Sequence, residues 1–175
     1  MRRSDREIKD FQAILAVIDR CEVLRLGMTD GGEAYIVPLN FGFEAMDGDV
    51  CFYIHSALTG RKIDILRRHS QVFVELDIPL GVVRHGPGDC ATGYAFQSVM
   101  GEGTAEFLSG PDKIRGLERV MAHMTMRPGD LGGTFHFDPE AVERTAVLRV
   151  TVKQENLRGK QAHVAPQPDI HTNLE

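Results

Sequence analysis

Apolar residues change period several times along this chain, and each change marks an element. Ile8, Phe11, Ile14, Leu15 and Ile18 recur at helical spacing and share one face. Ser4-Asp5-Arg6-Glu7 ahead of them has the form of a capping box, in which the serine hydroxyl accepts from the Glu7 amide while the glutamate reaches back. The pattern predicts a first helix over residues 4–18. From Cys21 to Met28 the period shortens toward alternation, and Thr29-Asp30-Gly31-Gly32 supplies a hairpin turn. A return strand over 34–43, a turn at Asp47-Gly48-Asp49 and a third strand over 50–55 predict an antiparallel meander.

Leu58 to Lys62 breaks the sheet, and the apolar positions after it predict a short helix to about Arg68. A strand follows over 72–76. Residues 79–93, rich in Gly and Pro, predict a long loop. The next strand, 96–108, contains Gly101 and Gly103, which mark a bulge or a close backbone approach. Pro111 opens a helix with Ile114, Leu117, Val120, Met121 and Met124 on its apolar face, and Met121, Met124 and Met126 are expected to pack in the core. Asp138-Pro139 reads as an N-cap followed by Pro at the first helical position. Residues 145–152 alternate as a final strand. Many strands, few helices and no β-α-β alternation predict a mainly β (α+β) protein: a closed or split antiparallel β-barrel with peripheral helices. One domain over residues 1–160 and a polar tail over 161–175 are expected.

Composition adds boundaries. With 175 residues, 42% of them hydrophobic, a chain can bury roughly 70% of its unfolded surface and needs neither disulfides nor a structural metal. The net charge of -5 argues against general nucleic-acid or anionic-membrane binding, which reward clustered Lys and Arg, but leaves room for a local basic pocket. No apolar run approaches a membrane span, and Met1 to Asp5 lacks the apolar stretch of a signal peptide, so a cytoplasmic protein is expected. Cys21, Cys51 and Cys90 form no CxxC, and the histidines form no HxH or HExxH pair. No metal site is expected, and Cys21 and Cys51 read as buried thiols.

Three stretches carry candidate chemistry. In His55-Ser56-Ala57-Leu58-Thr59-Gly60-Arg61-Lys62 a strand ends in a His-Ser pair, and two cations open a helix. Free amides and the helix dipole hold phosphate at such an end, so Arg61 and Lys62 either grip an anion or simply face solvent. In Tyr35-Ile36-Val37-Pro38-Leu39-Asn40-Phe41-Gly42, Pro38 signals an edge or a bulge. Asn40 there can meet a flat polar heterocycle or a backbone carbonyl. In Ser98-Val99-Met100-Gly101-Glu102-Gly103 the glycines do not lie at a strand-to-helix turn, which excludes a Rossmann site. His55 is either a rim residue or a functional imidazole that could donate a proton or ligate haem iron.

At these stretches the sequence resembles the flavin-binding split barrels related to pyridoxamine 5'-phosphate oxidase, and among them the Nim-type nitroimidazole-resistance proteins. The resemblance runs from about Asp19 to Lys160. It rests on Val37 to Gly42, His55-Ser56-Ala57 with Gly60-Arg61-Lys62, and Ser98 to Gly103, with weaker support from Met121-Ala122-His123 and residues 150–160. It implies a homodimer with FMN bound between the subunits. Arg61 and Lys62 would hold the phosphate, Val37, Leu39 and Asn40 would line the isoalloxazine, and Ser98 would reach the ribityl-phosphate chain. Ser56 and Val99 complete the implied cofactor set, with His55 as the candidate catalytic residue. The extra basic residues that pyridoxamine phosphate oxidases use for substrate are missing, and Ser98 stands where those enzymes commonly have Gln. The expectation is therefore an FMN-dependent reductase of small aromatic or nitroaromatic electron acceptors. The alternatives are a non-catalytic carrier or sensor of flavin or haem, with His55 or His123 on the iron, and a dimeric interaction module without cofactor.

Overall fold

Turn glycines decide the topology. The computed structural model describes residues 3–86, 91–125 and 135–163. Gly31 and Gly32 take φ of 61° and 93° and close a hairpin between β2 (Leu24–Asp30) and β3 (Glu33–Leu39). Asp47 and Gly48, at φ 52° and 90°, do the same between β4 (Gly42–Met46) and β5 (Asp49–Ala57). Short hairpin loops need such left-handed pairs to match the strand twist.

Only Asn40 and Phe41 separate these hairpins, yet β3 and β4 lie at opposite ends of the strand path. Its order is β3-β2-β6-β7-β8-β5-β4, with β6 Gln71–Arg84, β7 Thr92–Phe107 and β8 Thr145–Val152. Three Cα steps reach at most about 11 Å, so the sheet must curl until its two ends nearly meet. That closure is the antiparallel split barrel expected from the pattern. It also corrects the meander: residues 34–43 form two strands serving opposite ends, broken where Phe41 turns wholly into the core (0% exposed).

The split is visible along β7. Residues 96–101 pair with β9 (Leu157–Ala162), whereas residues 104–107 pair with β8. A Cβ on Gly101 would lie 2.7 Å from Val152 Cγ1 and 3.1 Å from the Asn156 carbonyl, and one on Gly103 would lie 2.8 Å from the Thr151 carbonyl. The close approach expected at these glycines is that of the chain itself, where β8 turns into β9. Gln161 and Ala162, expected in the tail, complete β9.

Three further expectations are corrected. Residues 4–18 are not one helix: Glu7–Ile8 is a short strand, β1, paired with β9. The helix α1 spans Phe11–Arg20, capped by Asp10, whose carboxylate accepts from the Ala13 amide at 2.9 Å. Asp10 displaces the Ser4 capping box because the β1 pairing holds residues 7–8 extended. Of the loop expected over 79–93, residues 79–84 and 92–93 belong to strands, since β6 and β7 run on as a hairpin arm. Gly81, at φ 108°, absorbs a register shift after Pro79, as glycine does in bulges. Met124 on α3 (Gly110–Thr125) is 40% exposed rather than in the core. Met126 and Cys90 lie outside the described residues. Cys21 and Cys51 are free, buried thiols, and burial pushes the Cys21 thiol up to about 12.

Helix α2 (Arg61–Arg68) buries Ile63, Ile65 and Leu66 against the barrel core. The short helix α4 (Pro139–Glu143) is capped by Asp138 as expected. Helix α3 covers a second apolar layer of Cys51, Tyr53 and Val120, and a polar lock holds it there. The Tyr53 hydroxyl donates to Glu44 Oε1 at 2.5 Å, while Arg115 and Arg119 of α3 reach the same carboxylate at 2.9 and 2.8 Å. Burial opposes the Glu44 charge, but the tyrosine and the two guanidiniums outweigh it and hold the carboxyl below its usual range.

A carboxyl whose pKa falls on folding contributes stability above its unfolded pKa and loses it as pH drops through the folded value. Tyr53→Phe, which removes a hydrogen bond to a charged acceptor, should therefore cost about 2 kcal/mol at neutral pH. The penalty should shrink in acid, once Glu44 is protonated. Urea melts at both pH values check this, and an equal penalty in acid would disprove the lock.

Candidate functional site

The stretch expected to hold a phosphate falls at the start of α2. Gly60 precedes it at φ 124°, a conformation glycine adopts without strain, and no side chain caps the helix. The first-turn amides therefore keep free donors. Arg61 turns back onto the β2–β3 hairpin: its Nε donates to Asp30 Oδ2 at 2.9 Å, and its guanidinium lies 4.4 Å from the Tyr35 ring centroid. Arg68, from the other end of α2, donates to Asp30 Oδ1 at 2.9 Å. Two guanidiniums thus share one carboxylate, and the cluster keeps net positive charge.

Lys62 is the unusual member. Its ammonium is half-buried and has no hydrogen-bond or ion-pair partner among the described residues. Burial alone lowers its pKa. A half-buried charge without a partner is costly, and an anion at the uncapped helix end would relieve that cost. On this observation the residues fit a phosphate-bearing cofactor.

The remaining expected residues are spread more widely. Val37 and Leu39 lie on β3, half-buried against the main core. Pro38 sits in an edge strand, as a strand proline should, because β3 stands at one end of the strand path. Asn40 is exposed just beyond β3. His55 and Ser56 are neighbours near the end of β5, so their side chains point to opposite faces. His55 is exposed, on the face shared with Cys51 and Tyr53, and has no hydrogen-bond partner among the described residues, whereas Ser56 is half-buried.

Ser98 is 7% exposed, in register with Asp77 and Lys160. It stands three strands from β3, about 14 Å at ordinary strand spacing. Val99, at 0% exposure, is a core residue. One chain thus brings Arg61 onto Tyr35 of β3, while Ser98 stands apart on the sheet.

His123 stands between two backbone carbonyls. Its Nδ1 lies 2.9 Å from the Phe41 carbonyl and its Nε2 lies 3.3 Å from the Asp19 carbonyl. The ring rests against Phe41 with centroids 4.3 Å apart. It ties α3 to α1 and to the β3–β4 crossover. Among the described residues no group of three or more His, Cys, Asp or Glu side chains is placed to hold a metal. No helix among them is long and apolar enough to cross a membrane.

Nothing local in the sequence marks Asp30, Tyr35 or Arg68 as members of this cluster. Asp30 was legible only as a turn residue. The adjacent tyrosine and the second pair of cations on α2 gave no local sign that all would converge.

Comparison with known proteins agrees with this architecture. A putative 5-nitroimidazole antibiotic resistance protein from Bacteroides thetaiotaomicron superposes with a TM-score of 0.71 at 29% identity, over 89% of this chain and 86% of that one. An FAD and haem binding protein from Mycobacterium smegmatis gives 0.76 at 15% identity, over 93% and 76%. A flavocytochrome from Azotobacter vinelandii gives 0.73 at 21% identity, over 97% and 75%. The last two likenesses are of fold. No curated protein sequence matches. The family model described as pyridoxamine 5'-phosphate oxidase matches residues 10–159. With the split barrel and its cationic helix start, that match makes this chain a member of the pyridoxamine 5'-phosphate oxidase family.

Proposed function

We propose that the protein is a homodimeric oxidoreductase that uses FMN to reduce small aromatic or nitroaromatic acceptors. The observation that carries this reading is Lys62, a half-buried cation without a partner beside the uncapped start of α2. Arg61 and Lys62 would hold the cofactor phosphate, with one guanidinium fork and one point charge. Val37 and Leu39 on the open edge of β3, with Asn40 just beyond it, would border its ring. Bound flavin would supply the two-electron reducing chemistry.

Ser98 belongs to the same set but stands three strands from β3. A second subunit would bring the two surfaces together across one ligand, which favours the dimer. The likeness to a putative nitroimidazole resistance protein favours a nitro acceptor over vitamin B6 oxidation. His55, exposed and uncommitted, would hold or deliver a proton at the acceptor. A positioned proton donor is worth about 100-fold or more.

His55→Ala should therefore retain flavin while kcat for a nitroaromatic acceptor falls by about 100-fold. Steady-state turnover of the flavin-loaded dimer checks this. Unchanged turnover would remove His55 from the mechanism, and loss of the flavin itself would make it a binding residue.

A further inference from the structure

The far end of β6 brings together two histidines that the phosphate clamp and the acceptor site do not use. β6 runs from Gln71, close to the end of α2, out to Arg84. His85 follows, and its amide donates to the Ala91 carbonyl at 2.8 Å. Val83 is the register partner of Gly93 on β7, so His85, two residues on, stands on the same face as Gly93. Along the other side of β7 lies β9, which pairs Ala162 with Phe96, and His163 comes next in the chain. The two histidines thus flank Gly93 from its two neighbouring strands.

Their rings meet over the glycine, with centroids 4.4 Å apart and planes at 44°. A Cβ on Gly93 would lie 2.8 Å from His163 Nε2 and 3.3 Å from His85 Nε2. Both Nε2 atoms therefore converge on the space that a side chain would fill at this position. Both residues are exposed, and neither ring has a hydrogen bond or an ion pair among the described residues. The backbone of His163 is turned to reach this place. Its φ of 56° is shared, among the described non-glycine residues, by Asp47 alone. That conformation is uncommon for a residue with a side chain, and strain of this kind gathers at ligand sites.

Two imidazole nitrogens converging on one point are a donor set for copper, nickel and zinc, and the ring spacing chooses among them. With a metal–nitrogen distance of about 2.0 Å, a ring centre stands about 3.2 Å from the ion. A right-angled pair of imidazoles then has centres about 4.5 Å apart, and a tetrahedral pair about 5.2 Å. The observed 4.4 Å matches the right angle, which is the geometry of square-planar or tetragonal Cu²⁺ and Ni²⁺. We propose that His85 and His163 form a binding site for Cu²⁺ or Ni²⁺, with water in the remaining positions, that ties the end of β9 to the β6–β7 arm. The two ligands come from distant parts of the chain, so no HxH spacing announces them. The site stands independently of the flavin reading, since α2 and this pair lie at opposite ends of β6.

Calorimetric titration of the chelator-stripped full chain with Ni²⁺, and the electron paramagnetic resonance spectrum of its Cu²⁺ complex, test this. One Ni²⁺ per chain and a tetragonal Cu²⁺ spectrum with two coordinated nitrogens are expected. Removing one ring removes the chelate, so His85→Ala and His163→Ala should each weaken Ni²⁺ binding by about 100-fold. His69→Ala, an exposed histidine elsewhere on the surface, should leave it unchanged. Gly93→Ala keeps both ligands but places a methyl group between them. The nearest atoms to that methyl all belong to the two imidazoles, whose ends can swing aside. The variant should therefore melt as the unmodified protein does, while Ni²⁺ affinity falls about 10-fold. Absence of Ni²⁺ binding, or a Cu²⁺ spectrum with a single coordinated nitrogen, would overturn the proposal. So would Ni²⁺ affinity that is unchanged in either histidine variant or in Gly93→Ala, or that falls equally in His69→Ala.

Discussion

Gly42→Ala is expected to destabilise the protein by about 3 kcal/mol or more, although it adds a single methyl group. Helix α3 lies directly on β4 at this point. A Cβ on Gly42 would sit 2.5 Å from the Val120 amide nitrogen and closer still to the Arg119 carbonyl. Those are backbone atoms of a helix and cannot swing aside like a side chain. The helix would have to lift, and lifting it uncovers Tyr53 and Val120, both 1% exposed, and strains the Glu44 lock. In a domain of this size each kcal/mol moves Tm by roughly 2–4 °C, so a drop of roughly 6–12 °C is expected. Gly27→Ala is the control, since its Cβ meets only ordinary contacts. Thermal melts of both variants check the prediction, and a Gly42→Ala melt within a degree or two of the unmodified protein would contradict the described seat of α3.

The largest functional effect should come from the clamp. Arg61→Ala together with Lys62→Ala removes both charged partners proposed for the flavin phosphate. Hydrogen bonds to charged groups are each worth about 1.5–3 kcal/mol, so affinity should fall by about 100-fold or more. Lys62 alone gives a sharper signature. An ammonium that is half-buried without a partner costs the flavin-free protein stability, and Lys62→Met removes that cost. The flavin-free variant should therefore melt at the same temperature or higher, while flavin affinity falls about 10-fold. A lysine with a purely structural role would show the reverse. Because burial lowers the Lys62 pKa, affinity should also weaken as alkaline pH removes its proton. Melting curves and equilibrium dialysis of the same samples separate these outcomes.

What the sequence made legible was mostly local. The Asp-Gly turns define their hairpins from two or three residues, and Asp138-Pro139 caps α4 where the pattern placed it. The alternation over 145–152 gives β8 within its bounds. The failures are non-local. β9 shows little alternation in Leu-Arg-Gly-Lys-Gln-Ala and exists because β7 and β1 pair with it. The arm of β6 and β7 reads as a loop because Pro79 and Gly81 look like breakers, yet one positive-φ glycine turns them into a bulge within a continuing strand. The site divides in the same way. Arg61 and Lys62 are readable because two cations at a helix start are unusual by themselves. Asp30 and Arg68 are not, since the contacts that define them span 31 and 38 residues. Val99 follows Ser98 in the family-like stretch, but strand alternation sends it into the core.

The central claim is that this split barrel holds a flavin through the start of α2. Its most direct test is the visible absorption spectrum of the purified protein after gel filtration, taken as isolated and after incubation with FMN and, separately, with haem. Flavin bands that co-elute with the protein, and that vanish in Arg61→Ala/Lys62→Ala, are the predicted result. A colourless protein that retains no added FMN, or one that retains only haem and shows a Soret band, would contradict it.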